Sequence, residues 1–110
     1  MDKLSKKELR DNYINRTAIG GVYYIKCNGS GHMWLKSTTD MPGQRNRYNY
    51  TVVTNTCPEP GMLKDWNQYG AESFSFTVLE EIKKGETQTD REFADDIRVL
   101  LDIWKEKQQP

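Results

Sequence analysis

The side chains best suited to chemistry are three basic residues, Lys36, Arg45 and Arg47, and the nearby Trp34. Lysine and arginine bind phosphate groups, so the three cations form a candidate phosphate patch. The indole of Trp34 could stack on a nucleobase, as aromatic side chains do in many nucleic-acid binders. Each has a structural alternative, since the cations could lie on a solvated loop and Trp34 could belong to the core.

The distribution of charge places most of the basic residues in the first half of the chain. The 110 residues have a formal net charge of zero. Residues 1–50 hold nine Lys or Arg against four acids, whereas residues 51–110 hold seven against twelve. A basic half could face a polyanion, because lysine and arginine release its counterions. Two oppositely charged halves could equally face each other or solvent.

Cysteine and histidine do not form a pattern of metal ligands. Cys27 and Cys57 are the two thiols, with no C-x-x-C pair, and His32 is the one histidine. We therefore expect reduced cysteines, no metal ligands, and a surface position for His32. No apolar run approaches the roughly 18 residues that cross a bilayer, and the first seven residues do not resemble a signal peptide. A cytoplasmic protein without a membrane partner is expected.

The hydrophobic pattern predicts one α+β domain over residues 1–110, because the chain is long enough for a single core. A capping box predicts an N-terminal helix over about 6–15. Runs of β-branched and aromatic residues predict strands, and apolar residues at helical spacing predict helices. The strands are expected at about 21–27, 32–37 and 74–81, and the further helices at about 40–50, 62–69 and 90–107.

Several local signals fix the details of these elements. Asp40 could cap the helix that follows it, with Pro42 in the first turn. Thr89 and Glu92 form a second capping box before the last helix. Period-two alternation places Phe74, Phe76 and Val78 on one side of the third strand. In the last helix, Phe93, Ile97, Leu101 and Trp104 recur at helical spacing, and Met62, Leu63 and Trp66 are expected on one face of the short helix.

Two tripeptides and a downstream segment form a recognisable pattern. Gly21-Val22-Tyr23 and Trp34-Leu35-Lys36 are ten residues apart, which is the spacing of the two tripeptides of the GIY-YIG nuclease family. The chain resembles this family here, and the first tripeptide matches. Residues 65–81 are similar to the family's helix-to-third-strand segment, with its Trp, Tyr-Gly and Phe-x-Phe-x-Val-Leu-Glu arrangement. The resemblance covers about residues 20–105 and excludes the predicted first helix. It implies a small central three-stranded antiparallel sheet flanked by helices.

The resemblance also implies hydrolysis of phosphodiesters with one divalent metal ion. A tyrosine of the first strand activates water, an arginine stabilises charge, and a glutamate of the last helix holds the metal. Tyr23 matches the tyrosine, and its phenol could act as a general base if its pKa were lowered. As a strand aromatic, Tyr23 could equally be a core residue. The arginine position reads Gln44, with Arg45 next to it as the candidate replacement.

Other positions depart from the family's pattern. Trp34 replaces the second tyrosine and lacks its hydroxyl, and Lys36 replaces a glycine. The position of the metal-binding glutamate reads Leu100 or Leu101. We therefore predict a catalytically impaired domain that binds DNA or RNA and needs no cofactor. The alternatives are an active endonuclease that uses Mg²⁺ or Mn²⁺ with rearranged residues, and a non-catalytic protein-interaction module.

Overall fold

The computed structural model describes residues 18–108. In chain order, the elements of this part are β1 (Ile19–Cys27), β2 (Met33–Thr38), α1 (Met41–Thr54), α2 (Leu63–Tyr69), β3 (Phe74–Lys83) and α3 (Asp90–Gln108). Short 3₁₀ turns at Pro60–Met62 and Ala71–Ser73 flank α2. The helix predicted over residues 6–15 lies outside the described residues.

The strands form one antiparallel sheet in the order β2-β1-β3, which confirms the predicted sheet. A tight turn joins β1 to β2, and its Gly31 has φ of 83°, a value that residues with a Cβ rarely adopt. The Gly31 N–H donates a hydrogen bond to the Cys27 carbonyl at 2.7 Å. The long β1–β3 ladder has one irregularity, between Val22 and Tyr23.

The two faces of the sheet carry different side chains. Tyr23 lies opposite Lys36 on β2 and opposite Val78 on β3. Because successive side chains of a strand point to opposite faces, these three residues share one face, here called the Tyr23 face. Val22 points to the other side, here called the Val22 face. Each face is covered by different helices.

Helices α1 and α2 cover the Tyr23 face and form the main core with it. Buried members of this core are Tyr23, Ile25, Cys27, Met41, Tyr48, Met62, Trp66 and Phe74, with Phe76 and Val78 packed against them. The predicted alternation along β3 is therefore confirmed. The prediction for Leu63 was wrong, because its side chain is exposed. Met62 and Trp66 are four residues apart and face the core, whereas Leu63 is rotated by about 100° from Met62.

Helix α1 begins at the predicted cap. The Asp40 carboxylate accepts a hydrogen bond from the Gly43 N–H at 3.2 Å, and Pro42 lies in the first turn. The helix continues past the predicted end to Thr54 and stops at Asn55, which adopts a left-handed conformation with φ of 53°. The Asn55 side chain accepts a hydrogen bond from Trp66 Nε1 at 3.2 Å. This contact fixes the return of the chain from α1 to α2.

Helix α3 packs on the Val22 face. Phe93 and Ile97 are buried, and Ile97 Cδ1 lies within 3.0 Å of the position that a Cβ of Gly20 would occupy. Trp104 Nε1 donates a hydrogen bond to Glu80 at 2.9 Å, on the strand position opposite Val22. The predicted capping box is also present: Glu92 N–H donates to Thr89 Oγ1 at 3.1 Å, and Thr89 N–H donates to the Glu92 carboxylate at 2.9 Å.

Both cysteines are free thiols, with Cys27 buried and Cys57 half-buried. Cys57 Sγ donates to the Glu59 carbonyl at 3.0 Å and thereby shapes the loop between α1 and α2. Among residues 18–108, no helix has the length and apolar character needed to cross a bilayer.

Candidate functional site

A cavity of about 260 Å³ opens on the Tyr23 face, between β1, α1 and the loop that leads to α2. Its walls combine aromatic, aliphatic, charged and amide side chains. The lining residues are Tyr23, Ile25, Gln44, Arg47, Tyr48, Tyr50, Thr51, Pro58 and Glu59. Several polar groups therefore converge on a small space that is otherwise apolar.

The α1 wall follows from helical spacing. Gln44, Arg47, Tyr48 and Thr51 are separated by three or four residues, so they form one stripe along the helix. Met41 continues this side of the helix into the core and is fully buried. The first turn of α1 therefore packs in the core, and the following turns line the cavity.

Tyr23 is a buried donor in the wall of this cavity. Its side chain is 3% exposed, and its ring stacks on Phe76 with centroids 4.6 Å apart. Burial, with a smaller contribution from the Glu59 carboxylate, raises the pKa of Tyr23 to about 12, although Arg47 opposes this shift. The phenol is therefore protonated at neutral pH. This environment favours hydrogen-bond donation and works against the lowered pKa that a general base requires.

Glu59 is the carboxylate that the structure brings to Tyr23. It forms an ion pair with Lys36, whose strand position lies directly opposite Tyr23. Lys36 was predicted as a phosphate ligand, but its ammonium group already has an anionic partner. Glu59 was not identified as a site residue from the sequence. Glu59 lies near Tyr23 because of the path of the loop between α1 and α2, and no local sequence pattern predicts that path.

Tyr48 supplies an unpaired polar atom in the same cavity. Its side chain is 7% exposed, and its ring lies 5.4 Å from that of Phe76. Within residues 18–108, no group accepts from or donates to Tyr48 Oη. Burial also raises the pKa of Tyr48, so this phenol is protonated too. A buried hydroxyl without a partner costs free energy, so such a group is expected to pair with a water or a ligand.

The predicted arginines lie on the exposed side of α1. The Arg45 guanidinium lies over the Phe76 ring, 5.9 Å from its centroid, and Arg47 lines the cavity. Within the described part of the chain, neither arginine has an acidic partner in an ion pair. Phe76 also stacks on Tyr23, and Tyr23 lines the same cavity as Arg47, so both arginines lie on the Tyr23 face.

Trp34 occupies a different position from the predicted arginines. It is half-buried on β2 and packs against the core, with its ring stacked on Phe74 at 6.0 Å. It does not line the cavity. The structure thus favours the core alternative for this side chain, while its exposed part stays open to solvent next to His32.

The residues around Tyr23 do not fit a hard divalent cation, which prefers several oxygen ligands. Leu101, at the position expected to supply the carboxylate, lies on α3 and therefore on the other side of the sheet from Tyr23. Glu59 is the nearby carboxylate, and Lys36 already neutralises it. Over residues 18–108, no three His, Cys, Asp or Glu side chains are grouped as metal ligands.

A second polar cluster joins the β1–β2 turn to α2. Asp65 is buried and accepts a hydrogen bond from Ser30 Oγ at 2.7 Å. His32 Nδ1 lies 2.7 Å from the same carboxylate oxygen and carries the proton in this contact, because a carboxylate only accepts. The Ser30 bond, followed by the His32 bond, holds the pKa of Asp65 below its usual value. The imidazole of His32 is largely exposed, as predicted, but its bond to Asp65 was missed.

This cluster predicts a pH-dependent contribution to stability. The pKa of Asp65 is lower in the folded chain than in the unfolded chain, where it is about 3.9. The Asp65 carboxylate therefore contributes fully to the free energy of unfolding above the pKa that it has in the unfolded chain. This contribution is lost as the pH falls through the lower pKa of the folded chain. We expect the stability difference between the parent and Asp65→Asn to shrink as the pH falls below about 4.

Urea denaturation at each pH measures this difference. The Glu92 carboxylate, whose pKa is also lowered by its bonds to Thr89, is present in both proteins and cancels. A difference that stays constant down to pH 3 would contradict the assignment to Asp65.

The fold is similar to that of an endonuclease catalytic domain, so the predicted GIY-YIG-like fold is confirmed. A solved structure of the catalytic domain of the homing endonuclease I-TevI is similar to this chain with a TM-score of 0.56 and 19% identity, covering 80% of this chain and 86% of that one. A mutant of the same intron endonuclease domain gives a TM-score of 0.55 and 19% identity, covering 81% and 82%. No family model and no curated protein matches the sequence.

Proposed function

We propose that this domain binds nucleic acid through the α1 side of the Tyr23 face and does not cleave it. The observation that carries the proposal is the pair of arginines, Arg45 and Arg47, beside an aromatic cavity. Guanidinium groups without acidic partners are suited to phosphates, and aromatic rings are suited to bases. The similar I-TevI structures are catalytic domains of an endonuclease, which supports nucleic acid as the partner.

The charge of the helices supports the choice of surface. Helix α1 contains two arginines and no acidic residue. Helix α3, on the opposite face, carries six acidic side chains against four basic ones. Of these two described helices, α1 attracts a polyanion and α3 repels it, which favours the α1 side for a phosphate backbone.

The environment of Tyr23 supports the loss of catalysis. A general base at neutral pH needs a pKa near 7, whereas burial and Glu59 move the pKa of this phenol to about 12. Lys36 and Glu59 neutralise each other beside it. Arg45 and Arg47 can hold a phosphodiester but supply no group that removes a proton from water.

The binding proposal predicts a salt-sensitive affinity that depends on α1. Each phosphate contact contributes about 0.7 to 0.9 to the slope of log affinity against log salt. Replacing Arg45 and Arg47 together with alanine is therefore expected to reduce that slope by about 1.4 to 1.8. Fluorescence anisotropy with labelled single-stranded and double-stranded oligonucleotides, at several salt concentrations, measures the affinity and its dependence on salt.

A matched control removes two cations from the opposite face. Arg91 and Lys105 are exposed on α3, so the Arg91→Ala, Lys105→Ala variant has the same net charge as the α1 variant. We expect its slope to stay within about 0.3 of the parent, because neither side chain contacts phosphate in the proposed complex. Equal losses in the two variants would indicate a general charge effect. A parent that binds no oligonucleotide at low salt would favour the protein-interaction alternative.

A further inference from the structure

We propose that the cavity between β1, α1 and the Pro58–Glu59 loop receives one unstacked nucleobase of a single-stranded nucleic acid. This inference rests on the proposed function and deepens it, because it assigns a base site next to the phosphate-binding arginines. The cavity walls provide an aromatic surface, an unpaired hydroxyl and several further polar groups. Each of these features is explained by a planar heterocycle with donors and acceptors along its edge.

Size limits the ligand to a single ring system. The cavity volume of about 260 Å³ lies below the roughly 300 to 1,000 Å³ of sites that hold larger small molecules. Three tyrosines, Tyr23, Tyr48 and Tyr50, contribute to its lining. Tyr50 is 68% exposed and therefore stands at the mouth, where its ring can cover an incoming base. Every base has a π-face, so stacking of this kind is tolerant of sequence.

The polar groups of the cavity match the edge of a base. Tyr48 Oη is buried and has no partner among residues 18–108, so it is available to donate to a carbonyl oxygen or ring nitrogen. Gln44 carries both a donor and an acceptor, and Arg47 carries donors only. Glu59 adds an acceptor for an exocyclic amino group. A heterocycle that enters the cavity can thus satisfy the hydroxyl that the protein leaves unpaired.

The charges of the cavity give a phosphate group little net attraction as its occupant. The lining contains the Glu59 carboxylate, which repels an anion, as well as the Arg47 guanidinium, and Lys36 is already paired with Glu59. The two buried phenols are neutral. The phosphate backbone is better placed outside, along the exposed Arg45 and Arg47. A paired duplex keeps its bases stacked inside, so a single strand or an extruded base is the form that fits.

The test compares oligonucleotides of equal length and charge. One is a normal single strand, and the other carries abasic sites in place of every nucleoside in its central part. We expect the abasic strand to bind the parent protein at least tenfold more weakly, because stacking of one base contributes about that much. Its salt slope is expected to equal that of the normal strand, since both have the same phosphates.

Variants of the cavity locate the base site. Tyr48→Phe removes the unpaired hydroxyl and keeps the ring, so we expect several-fold weaker binding of the normal strand and unchanged binding of the abasic strand. The variant is expected to unfold at the same or a higher urea concentration, which separates this loss from misfolding. Tyr24→Phe is the matched control, because Tyr24 follows Tyr23 on β1 and points to the Val22 face. It is expected to bind both strands like the parent.

A further titration adds free nucleosides to the protein and measures the shifts of its NMR signals. Equal affinities for the normal and abasic strands would overturn the base site and leave the proposed nucleic-acid function intact. Failure of both strands to bind at low salt would overturn the proposed function. If, in that case, free nucleosides still shift the signals of Gln44 and Tyr48, the base site stands as a site for free nucleosides. Loss of affinity in Tyr24→Phe equal to that in Tyr48→Phe would also overturn the inference.

Discussion

Replacing Gly21 with alanine is expected to lower the free energy of unfolding by about 3 kcal/mol or more, at the upper end of the range for overpacking. A Cβ at this position would lie 1.9 Å from the Glu80 carbonyl oxygen and 2.9 Å from Glu81 Cα. Both contacts are with backbone atoms of β3, so no side-chain rotation relieves them. The two strands must separate at this point, which weakens the ladder that holds the central strand.

The matched control for this variant is Gly61→Ala. Gly61 lies in a 3₁₀ turn, and an added Cβ would have no atom within 4 Å. We expect its stability to stay within about 0.5 kcal/mol of the parent, or to increase slightly because the unfolded chain loses freedom. Urea denaturation at one pH measures both variants. A Gly21→Ala protein as stable as the parent would show that β1 and β3 do not approach each other as closely as described.

The requirement for glycine at this position bears directly on the cavity. Gly21 is two residues before Tyr23, and the β1–β3 ladder between them contains the one register irregularity. The close approach of β3 places Phe76 against the Tyr23 ring and thereby fixes one wall of the site. If β1 and β3 separate at Gly21, we expect weaker oligonucleotide binding as well as lower stability. Both the Phe76 wall of the cavity and the sheet depend on the close contact between these two strands.

Most of the fold could be predicted because its signals are local. The alternation of Phe74, Phe76 and Val78, and the stripe through Phe93 and Ile97, are properties of short segments. Capping residues act over three or four positions, so the starts of α1 and α3 were also predicted correctly. The resemblance at Gly21-Val22-Tyr23 added the expectation of one three-stranded antiparallel sheet, whereas the order of its strands was not predicted.

The cavity could not be predicted because it depends on contacts between distant residues. Glu59 lies on the loop that begins where Asn55 ends α1 in a left-handed conformation and accepts a hydrogen bond from Trp66. The pairing of Lys36 with Glu59 spans 23 residues, and that of Ser30 with Asp65 spans 35. The sequence does not reveal whether a charged side chain will have an oppositely charged neighbour in the folded chain. Lys36, which is paired with Glu59, therefore could not be distinguished from Arg45 and Arg47.

The sheet also explains why the acidic residues of α3 do not replace the missing glutamate. Asp95, Asp96 and Asp102 are exposed on a helix that packs on the Val22 face, whereas Tyr23 points to the opposite face. Turning α3 to bring one of them towards the site would expose Phe93 and Ile97. Burying a large apolar side chain contributes about 1.5 to 3 kcal/mol, so this rotation would cost several kcal/mol.

The purified protein is accordingly expected to leave supercoiled, linear and single-stranded nucleic acids intact in the presence of Mg²⁺ or Mn²⁺. Enzymes typically turn over about 1 to 10³ times per second, so an active nuclease would be unmistakable within hours. Tyr23 lacks a lowered pKa, and the described residues around it offer one carboxylate that is already paired. Neither water activation nor stabilisation of the leaving oxygen has a suitable group in this cavity.

Gel assays with each substrate and metal, at protein concentrations that saturate binding, measure this outcome. Tyr23→Phe is the control, because it removes the phenol hydroxyl and keeps the ring that stacks on Phe76. Cleavage that persists unchanged in Tyr23→Phe would indicate a contaminating nuclease, since the activity would not depend on the site. Cleavage that disappears in Tyr23→Phe while binding is retained would contradict the prediction, because only a reacting phenol would separate the two properties. The domain would then be an endonuclease whose remaining groups act in an arrangement different from the one described.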